Sequence, residues 1–263
     1  MSDVLYEVDR DSGIGILTLN RPESRNAYTE AMVQGIISTL DEAEADSELR
    51  VLIITGAGPS FCAGGDLKAM QERSGMFAGD PVELRERYRL GIQGITRRFA
   101  SFEKPTIAAI NGAAIGAGLG LALVTDLRVA SEKAKFGSTF AKVGLIPGDG
   151  SAFLLTRIIG LPRALDLLLT ARIVSAEEAL RMNLVHQLYA PEKVLPAAQE
   201  MAEKIAALPP NAVRAVKSLV YRTANQDLET ALHLTVATQG LVQSTAEHDQ
   251  AVAALLEELQ RKH

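Results

Sequence analysis

Two glycine-rich turns are where this chain has the residues to do chemistry. The first runs Ser60-Phe61-Cys62-Ala63-Gly64-Gly65-Asp66-Leu67, and the second spans Asn111 to Gly120. Each follows a short apolar run that reads as a strand. Small residues let a backbone amide approach a ligand closely, and a helix start aims amides and the positive end of its dipole at an anion. Two such amides converging from separate turns on one oxygen make an oxyanion hole. The same glycines also allow tight turns and close helix packing, so spacing alone leaves both readings open. A dinucleotide fingerprint is excluded, because Gly116, Gly118 and Gly120 alternate and the GxGxxG spacing is absent.

The remaining reactive side chains read mostly as structural. Asp66 closes the first turn, as aspartate does by bonding its own backbone. Asp126, in Thr125-Asp126-Leu127, reads the same way. Glu83 and Glu86 lie in a charged stretch and read as solvated, though either could swing toward a site. Cys62 is the single cysteine, so no intrachain disulfide can form, and it reads as a small buried residue. His186 and His233 read as packing or surface residues. No histidine, cysteine or carboxylate cluster has metal-ligand spacing, so no metal is expected.

The elements that would carry these turns follow from apolar patterning. Ile14 to Asn20 is a β-branched run stopped by Arg21-Pro22. From Thr29, a plausible N-cap, Met32, Ile36, Ile37 and Leu40 have helical spacing to about Ala43. Val51 to Thr55 is apolar without alternation, which suits a strand covered on both faces. Residues 71–90 are charged and broken by Gly75, Gly79 and Asp80-Pro81, and read as a mobile loop leading into a helix. Lys104 to Asn111 is a further strand; the second glycine turn then opens an apolar helix to about Val124. Two short strands follow, at Leu127 to Ala130 and Ala134 to Phe136. A glycine-rich turn from Gly144 to Gly150 opens a helix through Ile159. The recurrence of strand, turn and helix makes an α/β chain. Beyond residue 194 the sequence is nearly all helix, with segments 194–207, 211–223, 228–242 and 247–261. That shift predicts a core over 1–195 and a helical region over 196–263.

The chain has 263 residues, 47% hydrophobic and 22% charged, enough for a large core. Its net charge of −5, with scattered basic residues, argues against a nucleic-acid partner. No basic-then-apolar leader opens the chain, and no apolar run is long enough for a membrane span. A cytoplasmic protein is the expectation.

The strings FCAGGDL after VLIITGAG, INGAAIGAGLGLALVTDLRVAS, FGSTFAKVGLIPGDGSAFLLTRIIG and LTARIVSAEEALRMNLVHQL, in this order, resemble the crotonase (enoyl-CoA hydratase/isomerase) superfamily over roughly residues 4 to 262. The resemblance implies an α/β spiral of ββα units with a C-terminal helical trimerisation region. It implies a homotrimer or homohexamer, an acyl-CoA thioester as substrate, and no cofactor beyond the CoA moiety. By position, the oxyanion amides would be those of Ala63 and Ala117. Arg25 and Ala27, with Ala63, Asp66, Leu67 and Lys68, would contact the CoA. Hydratases of the family carry two catalytic glutamates at positions that here are Gly120 and Phe140, neither of which transfers a proton. Asp149 is the candidate acid/base in their place, since some relatives use an aspartate nearby. An aspartate at a helix start is equally a cap. Isomerisation needs one acid/base and fits this set better than hydration. Thioester hydrolysis and a catalytically silent acyl-CoA-binding subunit are the alternatives.

Overall fold

In the computed structural model, which describes residues 2–261, ten strands form two sheets. The larger sheet holds β1 (Val4–Asp9), β2 (Ile14–Leu19), β3 (Val51–Gly56), β5 (Thr106–Ile110), β7 (Leu127–Ser131) and β10 (Gln187–Tyr189), in that order. The smaller holds β4 (Ser60–Cys62), β6 (Ala113–Ile115), β8 (Lys135–Gly137) and β9 (Val174–Ser175). The β1–β2 and β8–β9 pairs are antiparallel and all others parallel. Each of β3, β5 and β7 in the large sheet is followed by one strand of the small sheet and then by helix. That repeated step is the expected ββα spiral.

The helices in chain order are α1 (Glu30–Ala45), α2 (Leu67–Glu72), α3 (Pro81–Leu90), α4 (Ile92–Ser101), α5 (Ala117–Val124), α6 (Ser151–Ile159), α7 (Leu161–Thr170), α8 (Ala176–Arg181), α9 (Val194–Ala206), α10 (Pro210–Thr223), α11 (Leu228–Gln243) and α12 (Ala246–Arg261). Thr29 caps α1 by accepting from the Met32 N–H at 2.9 Å, as its residue type predicts.

The unalternating run of β3 is explained by two cores. Leu52 and Ile54, with Ala108 and Ile110 of β5, face the main core beside α1 and α5. Val51 and Ile53, with Ile107, Ala109 and Val129, face Val194, Ala198 and Ala202 of α9. A strand's side chains alternate between faces, so both faces of β3 must be apolar. The first helix beyond residue 195 therefore covers the sheet, and its alanines let it lie close. Helices α10 to α12 bury no residue in the single chain.

Residues 71–90 are more ordered than the breakers suggest. A short 3-10 turn at Gly75–Phe77 leads to α3, which is closed by a reciprocal capping box. Asp80 accepts from the Val82 and Glu83 N–H groups, and Glu83 accepts from the Asp80 N–H at 3.0 Å. Proline at the first helical position suits the helix, because its missing N–H would have had no partner there.

Candidate functional site

The ends of the two sheets bring the glycine turns together. Asn26, fully buried and left-handed at φ 56°, donates its side-chain amide to the carbonyls of Ala57, Ser60 and Phe61 at 2.8–3.1 Å. It binds the loop after β2 to the first turn. The second turn packs on the first from the other side. A Cβ added to Gly64 would lie 2.5 Å from the Ile115 carbonyl and 3.0 Å from the Ala117 nitrogen. One added to Gly118 would lie 2.2 Å from the Cys62 carbonyl. These glycines are required by close backbone approach, and Gly64 also by its φ of 81°.

The hydrogen bonds around this contact bear on the expected donor pair, Ala63 and Ala117. The Ala63 N–H donates to the Arg25 carbonyl at 3.0 Å, so it is already committed. The neighbouring bond runs from the Tyr28 N–H to the Gly64 carbonyl at 2.8 Å, which continues the tie to the same loop. Left-handed Gly64 then turns the chain, and the Gly65 N–H donates to nothing among the described residues. The Ala117 N–H, at the start of α5, is likewise unpaired, as the first amides of a helix are. Among the described residues, the amides of Gly65 and Ala117 are thus left without an acceptor where the two turns touch, while that of Ala63 is not.

Asp149 is 3% exposed. Its Oδ1 accepts from the Ser151 N–H at 3.0 Å and from the Ser151 hydroxyl at 2.6 Å, so it ties down the first residue of α6, although the N-cap itself is Gly150. Its Oδ2 is buried with no partner. A Cβ built on Gly120 would lie 2.0 Å from that oxygen. The Asp149 carboxylate therefore occupies the space that a side chain at position 120 would take. Burial raises its pKa above the usual carboxylate value, against the opposing pull of the two Ser151 hydrogen bonds. Phe140 is 9% exposed and packs into the main core.

Other candidates fall outside this constellation. Glu83 is spent in its capping box, and Glu86 pairs with Arg89 at 2.7 Å. Asp66 caps α2 by accepting from the Lys68 and Ala69 N–H groups. Asp126 pairs with Lys217 at 2.8 Å and accepts from Thr106 and Tyr221, tying α10 to the sheet. The Cys62 thiol donates to the Asn26 carbonyl, and burial pushes its pKa up to about 12, which leaves no thiolate at neutral pH. His186 bonds the Arg128 backbone, while His233 is exposed on α11. Around the first turn, Arg25, Leu67 and Lys68 are exposed and Ala27 is buried. Lys68 lies 3.8 Å from Glu72.

Sequence reasoning missed Gly65, and the only signal for it was its place directly before the capping Asp66. It also missed Tyr88 of α3, whose ring lies against Gly148, next to Asp149.

Comparison with known proteins shows the family. The family model described as enoyl-CoA hydratase/isomerase matches residues 9–263. The chain is 35% identical over 253 residues to the short-chain-enoyl-CoA hydratase of Clostridium acetobutylicum, covering 95% of this chain and 94% of that protein. It is also 35% identical over 256 residues to the 1,2-epoxyphenylacetyl-CoA isomerase of Escherichia coli K12, covering 97% and 96%. The crystal structure of enoyl-CoA hydratase from Bacillus anthracis superposes with a TM-score of 0.90 at 31% identity, covering 97% of this chain and 96% of that one. With a motif order, a spiral of paired strands and a whole-length match all in agreement, this chain belongs to the enoyl-CoA hydratase/isomerase family.

Proposed function

We propose that this protein moves a proton within an acyl-CoA thioester, with Asp149 as its acid/base. The carrying observation is the unpaired Oδ2 of a buried carboxylate, sitting where a side chain at position 120 would otherwise be. In this reading the amides of Gly65 and Ala117 hold the thioester oxygen. Negative charge on that oxygen makes the Cα hydrogen acidic. Asp149 takes that proton, the enolate forms, and the same carboxyl returns the proton to Cγ, shifting a 3,4 double bond to 2,3. One proton leaves and one is replaced, so no further reactant is needed. The CoA end lies along Arg25, Leu67 and Lys68, whose exposure leaves them free for a nucleotide and its phosphates.

Hydration remains the second reading, because the Clostridium relative carries that name. Against it stands Phe140, which the family resemblance aligns with one of the hydratase glutamates and which cannot activate a water. The test is incubation with 2-enoyl-, 3-enoyl- and saturated acyl-CoA thioesters in deuterated water. Deuterium at Cα, faster than any water addition, is the expected result. Thioester binding without exchange would make the protein a silent carrier, and water addition outrunning exchange would make it a hydratase.

Assembly into a trimer-based oligomer is part of the same reading. Val216, Val220, Leu228, Leu232, Val236 and Leu241 are all more than half exposed on α10 and α11. Apolar faces of this extent on helices that bury nothing within the chain support a protein interface. Sedimentation at micromolar concentration should give at least three chains per particle, and a monomer would contradict this.

A further inference from the structure

We infer that the acyl group carries a hydrogen-bond-accepting oxygen beyond its thioester carbonyl, bound by the hydroxyl of Tyr88; this rests on the acyl-CoA reading above. Helix α3, the start of α4 and the turn before Asp149 enclose a cleft of about 530 Å³. Leu84, Leu145, Ile146 and Pro81 line it, together with Gly148 and the ring of Tyr88. A cleft of that size has room for a medium-length or ring-bearing acyl group.

Tyr88 is held firmly in this wall. A Cβ on Gly148 would meet its ring at 3.1 Å and its hydroxyl at 3.5 Å. The helix carrying it is fixed by the capping box, by the Arg87–Glu30 pair at 3.0 Å, and by Arg97 donating to the Arg89 carbonyl at 2.7 Å. Gln93, a further polar group of the lining, is occupied, donating to the Gly148 carbonyl and accepting from Arg97. Arg89 pairs with Glu86. The Tyr88 hydroxyl donates to no acceptor among the described residues, and the Arg85 guanidinium on the same wall has no hydrogen-bond partner there either. The Asp149 charge is close enough to suppress its ionisation, second to burial, so it remains a donor at any working pH.

Where the cleft is open to solvent, water satisfies this phenol. A hydrocarbon chain filling the cleft would displace that water and strand the hydroxyl. An acyl group bearing a hydroxyl or keto oxygen at the right distance would replace it. A donor that the bound acyl group covers discriminates against the analogue lacking the acceptor, because its own polar group is then left unpaired.

The test measures binding of octanoyl-CoA, of its 3-, 5- and 8-hydroxy forms and of octanedioyl-CoA, to wild type and Tyr88→Phe. At least one hydroxylated form should bind wild type about 10-fold more tightly than octanoyl-CoA. Tyr88→Phe should lose that preference while keeping its affinity for octanoyl-CoA, since the ring still packs on Gly148. No preference in wild type, or one that survives Tyr88→Phe, overturns the inference. A preference for octanedioyl-CoA that survives the substitution would move recognition to Arg85 on the same wall, and also overturns it. If octanoyl-CoA itself does not bind, the acyl-CoA reading fails instead.

Discussion

Asp149→Asn should lower Cα proton exchange by about 100-fold or more, while the fold becomes more stable wherever the wild-type carboxyl is ionised. The rate loss is the usual range for removing a positioned acid/base. Asparagine keeps the side-chain oxygen that accepts from Ser151, so α6 should start in the same place. The stability gain follows from the sign of the pKa shift. Burial raises the folded-state pKa of Asp149 above its ordinary 3.8. Such a group favours folding most at pH below 3.8, and that contribution is lost as pH rises through the raised value. Above that raised pKa the wild type holds a buried, half-paired anion that the variant lacks. There the Tm of the variant should exceed that of the wild type, and the gap should close toward acid. Wild-type exchange should rise with pH through the same raised pKa, because only the ionised carboxylate accepts a proton. Calorimetry and exchange rates across the pH range check both halves. Undiminished exchange in a folded variant would leave Asp149 only a cap.

Gly120→Ala should destabilise the fold and inactivate the site together. In a helix interior this substitution ordinarily gains up to about 1 kcal/mol. Here the new methyl would lie 2.0 Å from Asp149 Oδ2, so the carboxylate or α5 must move. Overpacking of this kind costs about 1–3 kcal/mol, which outweighs the propensity gain. The mechanism predicts a specific rescue. Combined with Asp149→Ala, which removes the obstructing oxygen, the alanine at 120 should cost far less. Urea unfolding of the four proteins in the cycle should give a coupling of about 1–3 kcal/mol. Additivity within about 0.5 kcal/mol would show that the two positions do not share that space.

Much of the architecture was written in local pattern. The strands at 51 and 106, the glycine turns after them and the helices beyond residue 194 all stand where apolar runs and breakers put them. Those signals are local, since strand and helix differ in period and glycine marks the turns. The charged stretch before residue 90 was less legible. Helix α3 buries no residue, so it has no apolar stripe to reveal it. Only Asp80, Pro81 and Glu83 mark its start, and these are also the residues of loops.

The sequence by itself determined the family motifs, the residue types at Gly120 and Phe140, neither of which carries a carboxylate, and the presence of an aspartate at 149. Tertiary structure alone decided which amides are free and what fills the space beside Gly120. Ala63 and Gly65 are both small and both stand in the turn where a backbone N–H could donate. What separates them is the Arg25 carbonyl, 38 positions back in the chain, which accepts from one and not the other. Asp149 is 29 residues from Gly120, and nothing in their spacing says that one oxygen replaces the other's side chain. Hydrogen-bond partners and shared volume are set by long-range packing, and packing is what a linear pattern does not record.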